Sequence, residues 1–259
     1  VAPKTVAQAA VLANEPPRFA WKAPLTVHVT ERATKDSRTA TLSYWLDVCP
    51  KAPDLVVVTH RDFHFVDLMG KPASNPEFAQ ALKELAPVMA AIPRFVIDAQ
   101  GKVTAVEGAA DLLARLQAAL PDADLRSLKE TLETPAAMEA ITASATERWQ
   151  VWVQAWLEYD SHTITAQDVV SPGRVKLERS AQAKDLPDPT GFGAKIAMTV
   201  VLQADTEWPA IRPWTASSER TVHASVGSRS ETHSETHQYA FDWAAHPDAV
   251  PDCSQVPAQ

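Results

Sequence analysis

Residues 134–159 read TPAAMEAITASATERWQVWVQAWLEY. Thr134 followed by Pro135 is a helix start, with proline in the first turn. Met138, Ile141, Trp149, Trp152, Val153 and Trp156 then keep helical spacing. Trp149, Trp152 and Trp156 fall three and four apart, so they share one helix face. Upstream, Leu112, Leu113 and Leu116 mark a helix stopped by Pro121, and Leu125, Leu128 and Leu132 a second one starting at Asp122. Residues 109–159 thus read as helical.

Both flanks read as strands. Leu25–Thr30 and Thr39–Leu46 alternate apolar and polar residues around the polar turn Thr34–Ser37, and Asp54–Leu68 (DLVVVTHRDFHFVDL) is a third long strand. Asn75-Pro76-Glu77 caps a helix in which Phe78, Leu82, Leu85 and Met89 keep helical spacing to about Ala91. Pro93–Asp98 and Lys102–Glu107 form a hairpin about Gly101. After Tyr159, strands are expected at Arg174–Glu178, Ala194–Ala204, Glu219–Val226 and Thr236–Trp243, with a Pro/Asp loop at Lys184–Thr190.

Strands, helices, then strands again is a segregated order. The expected class is α+β: a curved antiparallel β-sheet in two strand-rich halves, packed around a central helical segment. Residues 1–20 are expected as a flexible N-terminal arm, 21–247 as one domain with a seam near 159–161, and 248–259 as a Pro-rich tail.

The 259 residues suffice to bury a sizeable core without a metal staple. Seven glycines against 20 prolines argue against phosphate-cradling loops and dinucleotide folds. The net charge of −8, with no basic cluster, disfavours nucleic acid. No run of 18 apolar residues occurs, so no transmembrane segment is expected. The opening at Val1 reads as a processed chain whose signal peptide or lipid anchor has been removed.

Cys49 and Cys253 both sit in polar turns, far apart in the chain. They read as one disulfide tying the tail to an early strand; the other reading is two free thiols in a cytosolic protein. His60 and His64, and His233 and His237, are each four apart, which puts each pair on one face of a regular strand. If those strands are neighbours, the four imidazoles make a zinc or copper site; otherwise they are solvated or pH-responsive histidines. Asp98, Glu107 and Asp111 flank a hairpin, where acids are common. The nucleophile elbow, phosphate loop, His-Glu-x-x-His and calcium-loop motifs are missing from the sequence, so an enzyme has no positive support and no cofactor is implied.

Trp149, Trp152 and Trp156 either pack on the sheet as core or line an apolar hollow beside it. Trp208 and Trp214 fall in a Pro-rich loop and would rim that hollow, contact a protein partner, or fold back on the sheet.

The segment Phe95–Gly108 (FVIDAQGKVTAVEG) brackets a hairpin between Gly101 and Gly108 and leads into a helix. In this the chain resembles, from Leu25 to Trp156, uncharacterised exported lipoproteins of Gram-negative bacteria, a group that carries no established function to transfer. The element order is also similar to lipoprotein-carrier-type folds, in which helices close a curved sheet over an apolar hollow.

The expected function is therefore a non-enzymatic periplasmic, outer-membrane-associated or secreted binding protein. Its partner would be an apolar small molecule, a lipid or a lipidated protein, held between sheet and helices by Trp149, Trp152, Trp156, Trp208 and Trp214. The alternatives are a metal-binding envelope protein using His60, His64, His233 and His237, and a protein-interaction module acting through the Trp208/Trp214 loop.

Overall fold

Strand pairing runs through longer stretches than the alternation pattern marks. The computed structural model describes residues 15–80, 82, 93–108, 114, 139, 142–143, 146–158, 164–171, 173–187, 193–243 and 249–254. The strands are β1 Arg18–Phe19, β2 Leu25–Lys35, β3 Arg38–Ala52, β4 Leu55–Leu68, β5 Lys71–Pro72, β6 Arg94–Asp98 and β7 Val103–Glu107. After the helical region come β8 Ile164–Ser171, β9 Arg174–Leu186, β10 Lys195–Glu207, β11 Ala210–Val226 and β12 Arg229–Asp242.

They form one 12-stranded sheet in the order β7-β6-β4-β3-β2-β12-β11-β10-β9-β8, with β5 on β4 and β1 on β11. Pairing along the path is antiparallel, while β1 lies parallel to β11. The two strand-rich halves meet where β12 pairs with β2, from Asp242↔His28 to Glu235↔Lys35.

The α+β class with a central helical segment is therefore corrected: the described structure is essentially one large antiparallel sheet. The described helical residues are Pro76–Phe78, residues 79–80, 82, 114, 139, 142–143 and 146–149, the π-helical Gln150–Gln154 and Ala155–Leu157. The leucine-marked helices expected over 109–132 lie outside the described residues. Strands β11 and β12 extend beyond the expected Glu219–Val226 and Thr236–Trp243 through Thr, Ser, Arg, Glu and His residues that lack the apolar alternation of a half-buried strand. Their side chains suit a pleated surface all the same once a neighbour supplies the hydrogen bonds. Pro213 enters β11 next to a register shift, where a missing N–H is tolerated.

The core lies on one face of the sheet. Val27 and Val29 from β2, Tyr44 and Leu46 from β3, Val58 from β4 and Phe95 from β6 all point there and are buried. Residues 146–158, hereafter the tryptophan helix, lie across this face. Trp149, Trp152 and Trp156 are each fully buried. The sheet bends around them, since Phe95 of β6 approaches Trp149 while Tyr239 and Phe241 of β12 approach Trp152. The Trp149 indole N–H donates to the Gly101 carbonyl (2.8 Å), fixing the helix to the β6–β7 hairpin. Phe19 and Trp21 close the other side of Trp149 edge-on, at 5.8 and 5.0 Å between ring centroids.

Cys49 and Cys253 form a disulfide, Cα–Cα 5.6 Å, across 204 residues of chain. The tail also donates from the Asp252 N–H to Asp47 (3.0 Å), a buried carboxylate that takes Thr26 Oγ1 and Arg61 Nε at 2.6 Å each. Tail, β2, β3 and β4 are thus joined by one bond and one satisfied charge.

Candidate functional site

Alternation along β2 puts Val27, Val29 and then Glu31 on the core face, an acid in an apolar register. Alternation along β12 does the same with His237, Tyr239 and Phe241. Because β2 and β12 are neighbours, Glu31 and His237 meet. Glu31 is only 2% exposed. It accepts from Tyr44 Oη (3.1 Å) and His237 Nδ1 (3.1 Å), and Arg148 of the tryptophan helix lies 3.5 Å away. His237 also offers Nε2 to Glu235 at 3.3 Å. With a carboxylate at each ring nitrogen, the doubly protonated form of the imidazole is favoured.

The titration behaviour follows from this geometry. Burial pushes the Glu31 carboxyl up, but the His237 hydrogen bond and the Arg148 charge outweigh it and hold the group below its ordinary range. The Glu31 hydrogen bond raises His237, against burial. Burial, then the Glu31 charge, drives Tyr44 and Tyr239 upward, so both stay neutral phenols, and Tyr44 donates to Glu31.

Beside this cluster, between the tryptophan helix and β10–β12, is a partly open cavity of about 310 Å³. Val151, Val200 and Tyr239 supply its apolar walls. Arg148, Arg220, Glu147, Glu235 and His237 supply its charges, with Ser218 between them. Arg220 is paired with Glu147. Counting Glu31 behind the wall, Arg148, Arg220 and protonated His237 balance Glu31, Glu147 and Glu235.

The residues expected from sequence are placed as follows. Trp149, Trp152 and Trp156 do share one face and are buried, but Trp149 and Trp152 are enclosed by Trp21, Phe95, Tyr239 and Phe241, Trp156 donates its indole N–H to the Val151 carbonyl, and none of the three borders a described cavity. The space beside the helix opens on the adjacent helix face, one residue before Trp149 and Trp152, at Arg148 and Val151. Trp208 lies in the connection between two strands, as expected, but Trp214 does not lie in a loop, which is a correction. Trp208 is buried in the tight connection between β10 and β11, and Trp214 is half-buried within β11 under the Arg174 guanidinium (5.0 Å).

The shared face of His60 and His64 is also corrected. Asp62 takes a left-handed φ of 54° at a bulge, where the register moves from Trp45↔Arg61 to Ser43↔His64. One extra residue turns His60 to the core and His64 to the exposed opposite face. Nor are the histidine-bearing strands neighbours, since β3 and β2 separate β4 from β12. Among the described residues, no group of three or more His, Cys, Asp or Glu side chains is arranged to hold a metal. His60 instead lies among the rings of Tyr44, Phe63 and Phe95. Both its nitrogens are buried with no hydrogen-bond partner among the described residues, and burial, assisted by Arg148, lowers its pKa to about 3.

Sequence reasoning missed Glu31, Arg148 and Glu235. The available signal was the polar member of an apolar register, in Val27-x-Val29-x-Glu31 and in His237-x-Tyr239-x-Phe241.

No family model matches the chain, and no curated protein matches it. Among solved structures, one of lipovitellin, described by its lipid–protein interactions, is similar, with a TM-score of 0.49 and 8% identity. The match covers 85% of this chain and 25% of that one, so the chain spans about a quarter of its length.

Proposed function

We propose that this chain is a non-enzymatic binding protein of the bacterial envelope, of the exported-lipoprotein kind, that holds a small amphiphile in the cavity beside the tryptophan helix. The cavity itself carries the reading. At about 310 Å³ it reaches the lower end of ligand-pocket volumes, roughly 300 Å³, and it joins an apolar wall to a polar one. Val151, Val200 and Tyr239 suit an alkyl portion, whose burial contributes roughly 25 cal/mol per Å².

The charge balance narrows the polar end. Every positive group at the site faces a carboxylate of the protein, so a free anion or cation would have to displace an existing partner. A neutral or zwitterionic head does not. The disulfide fits an oxidising compartment. No helix among the described residues is long and apolar enough to cross a membrane.

The test is calorimetric titration with n-octylphosphocholine, below its micellar concentration, of the wild type and of Val200→Trp, which fills the cavity from β10. Saturable one-to-one binding by the wild type, weakened at least about tenfold in a variant of unchanged melting temperature, supports the reading. An absence of binding, or equal affinity in the two proteins, overturns it.

A further inference from the structure

The cavity beside the tryptophan helix holds an acid whose only partner can lose its charge. Glu235 and His237 stand two apart on β12, so both face the same side of the sheet, and both line the cavity. His237 Nε2 lies 3.3 Å from Glu235 Oε1, and Nδ1 lies 3.1 Å from Glu31 Oε1. The two carboxylates are not equivalent. Glu31 is buried and has Tyr44 Oη and the Arg148 charge beside it, whereas the Glu235 side chain is 36% exposed. Among the described residues, His237 is the one ion-pair partner of Glu235. The cross-strand neighbours of Glu235 do not take that place. Arg220 of β11 is paired with Glu147 of the tryptophan helix, and Lys35 of β2 is exposed and makes no ion pair with it.

An imidazole that gives up its second proton keeps one N–H. Glu31 holds that one, because an acceptor left without a donor costs most where water is excluded. Nδ1 then stays protonated, and Nε2 presents a lone pair to the Glu235 carboxylate. Two acceptors meet at the cavity wall with no proton between them. No other group facing His237 supplies one. Tyr44 of β3 donates to Glu31, Ser218 of β11 is uncharged, and Val200 of β10 is apolar. His60 of β4, close enough to feel Arg148 and Glu31, is neutral above about pH 3. Arg148 and Arg220 then stand against Glu31, Glu147 and Glu235, while Lys35 is screened by the water around it. A primary ammonium restores what was lost, a positive charge with N–H donors for both acceptors. Its alkyl chain has Val151 and Val200 to lie against.

We infer that Glu235 and Nε2 of His237 form a head-group site for primary alkylammonium ions, open when His237 is neutral and closed when it carries two protons. The inference rests on the amphiphile reading of this cavity and adds a charge class of ligand and the residue that selects it. The Nε2 proton stands where an ammonium N–H would, so the two exclude each other. The hydrogen bond to Glu31 raises the pKa of His237 from its ordinary 6.5, against burial, so the site opens above pH 6.5.

The experiment is calorimetric titration of the whole chain at pH 5.5 and pH 9.0 with n-octylammonium chloride and, in parallel, n-octylphosphocholine, both below their micellar concentrations. Both heads keep their charge across this range. n-Octylammonium should bind at least about tenfold more tightly at pH 9.0, and n-octylphosphocholine equally at the two values. Glu235→Gln should remove the alkaline gain. At pH 9.0, where His237 no longer donates to Glu235, this variant should melt as the wild type does. His237→Gln, which is neutral at every pH, should bind n-octylammonium equally at both values. Equal wild-type affinity for n-octylammonium at the two pH values, with n-octylphosphocholine bound, overturns this inference and leaves the amphiphile reading standing. An alkaline gain that survives Glu235→Gln overturns it as well. Binding of neither compound overturns both readings.

Discussion

Replacing Glu31 by Gln tests the buried cluster, because it removes one charge and almost no volume. In the wild type, Glu31 neutralises Arg148 and protonated His237 inside the protein. Removing one partner from a buried charge pair typically costs about 3–5 kcal/mol. The lower figure applies here, since Arg148 and His237 each keep about a quarter of their side-chain surface exposed (25% and 27%) and can turn to solvent. The loss must depend on pH, with a sign the geometry fixes. His237 has a folded pKa above its unfolded value of 6.5, so it stabilises the wild type fully below pH 6.5 and ceases to as the pH rises through the folded pKa. Without Glu31 only the Glu235 contact is left to raise it, so the larger part of that contribution is lost. Urea unfolding followed by tryptophan fluorescence should show a deficit of about 3 kcal/mol at pH 5.5. At pH 9.5 the deficit should be smaller by about 1.5 kcal/mol, the lower value of a hydrogen bond to a charged group. Equal deficits at the two pH values, or none at either, would refute the role given to this pair.

Three further outcomes are expected. Changing Cys49 and Cys253 together to Ser should lower stability by about 3–5 kcal/mol in the loop-entropy model, and reductant should do the same to the wild type in a melting experiment. His60→Phe should flatten the acid limb of the stability curve. The imidazole is held neutral down to about pH 3 against 6.5 when unfolded, so the wild type loses stability through that window by a contribution the variant lacks. By pH 4 that relative gain is about 3 kcal/mol in denaturant unfolding. Gly101→Ala should lower the melting temperature, because φ is +83° and a Cβ would lie 2.5 Å from Leu157 Cδ1 and 3.0 Å from Phe19 Cβ. A cost of about 2–3 kcal/mol is expected from strain and overpacking together.

What could be read from the sequence was what one strand or one helix face records by itself. The hairpin about Gly101 is where its turn residues put it, and Trp149, Trp152 and Trp156 do form one face. The cysteines pair as their turn settings suggested. What failed was information held between elements. The Ser, Arg, Glu and His residues between the strands expected at Glu219–Val226 and Thr236–Trp243 read as a join, because their strand character comes from neighbours that supply hydrogen bonds. The Asp62 bulge was invisible in the alternation of DLVVVTHRDFHFVDL, yet it sends His64 to the opposite face from His60. Aspartate tolerates a left-handed φ better than most residues, and that weak hint was the only local one. The meeting of Glu31, Arg148 and His237 depends on β2 lying beside β12, a pairing of residues some 200 positions apart.

The most direct test of the amphiphile site is a methyl NOE map of the protein saturated with n-octylphosphocholine. Contacts from the alkyl protons to the methyls of Val151 and Val200, and none to those of Thr30 or Thr215, are the predicted result. An alkyl chain resting against Thr30 or Thr215, or touching neither valine, would contradict it.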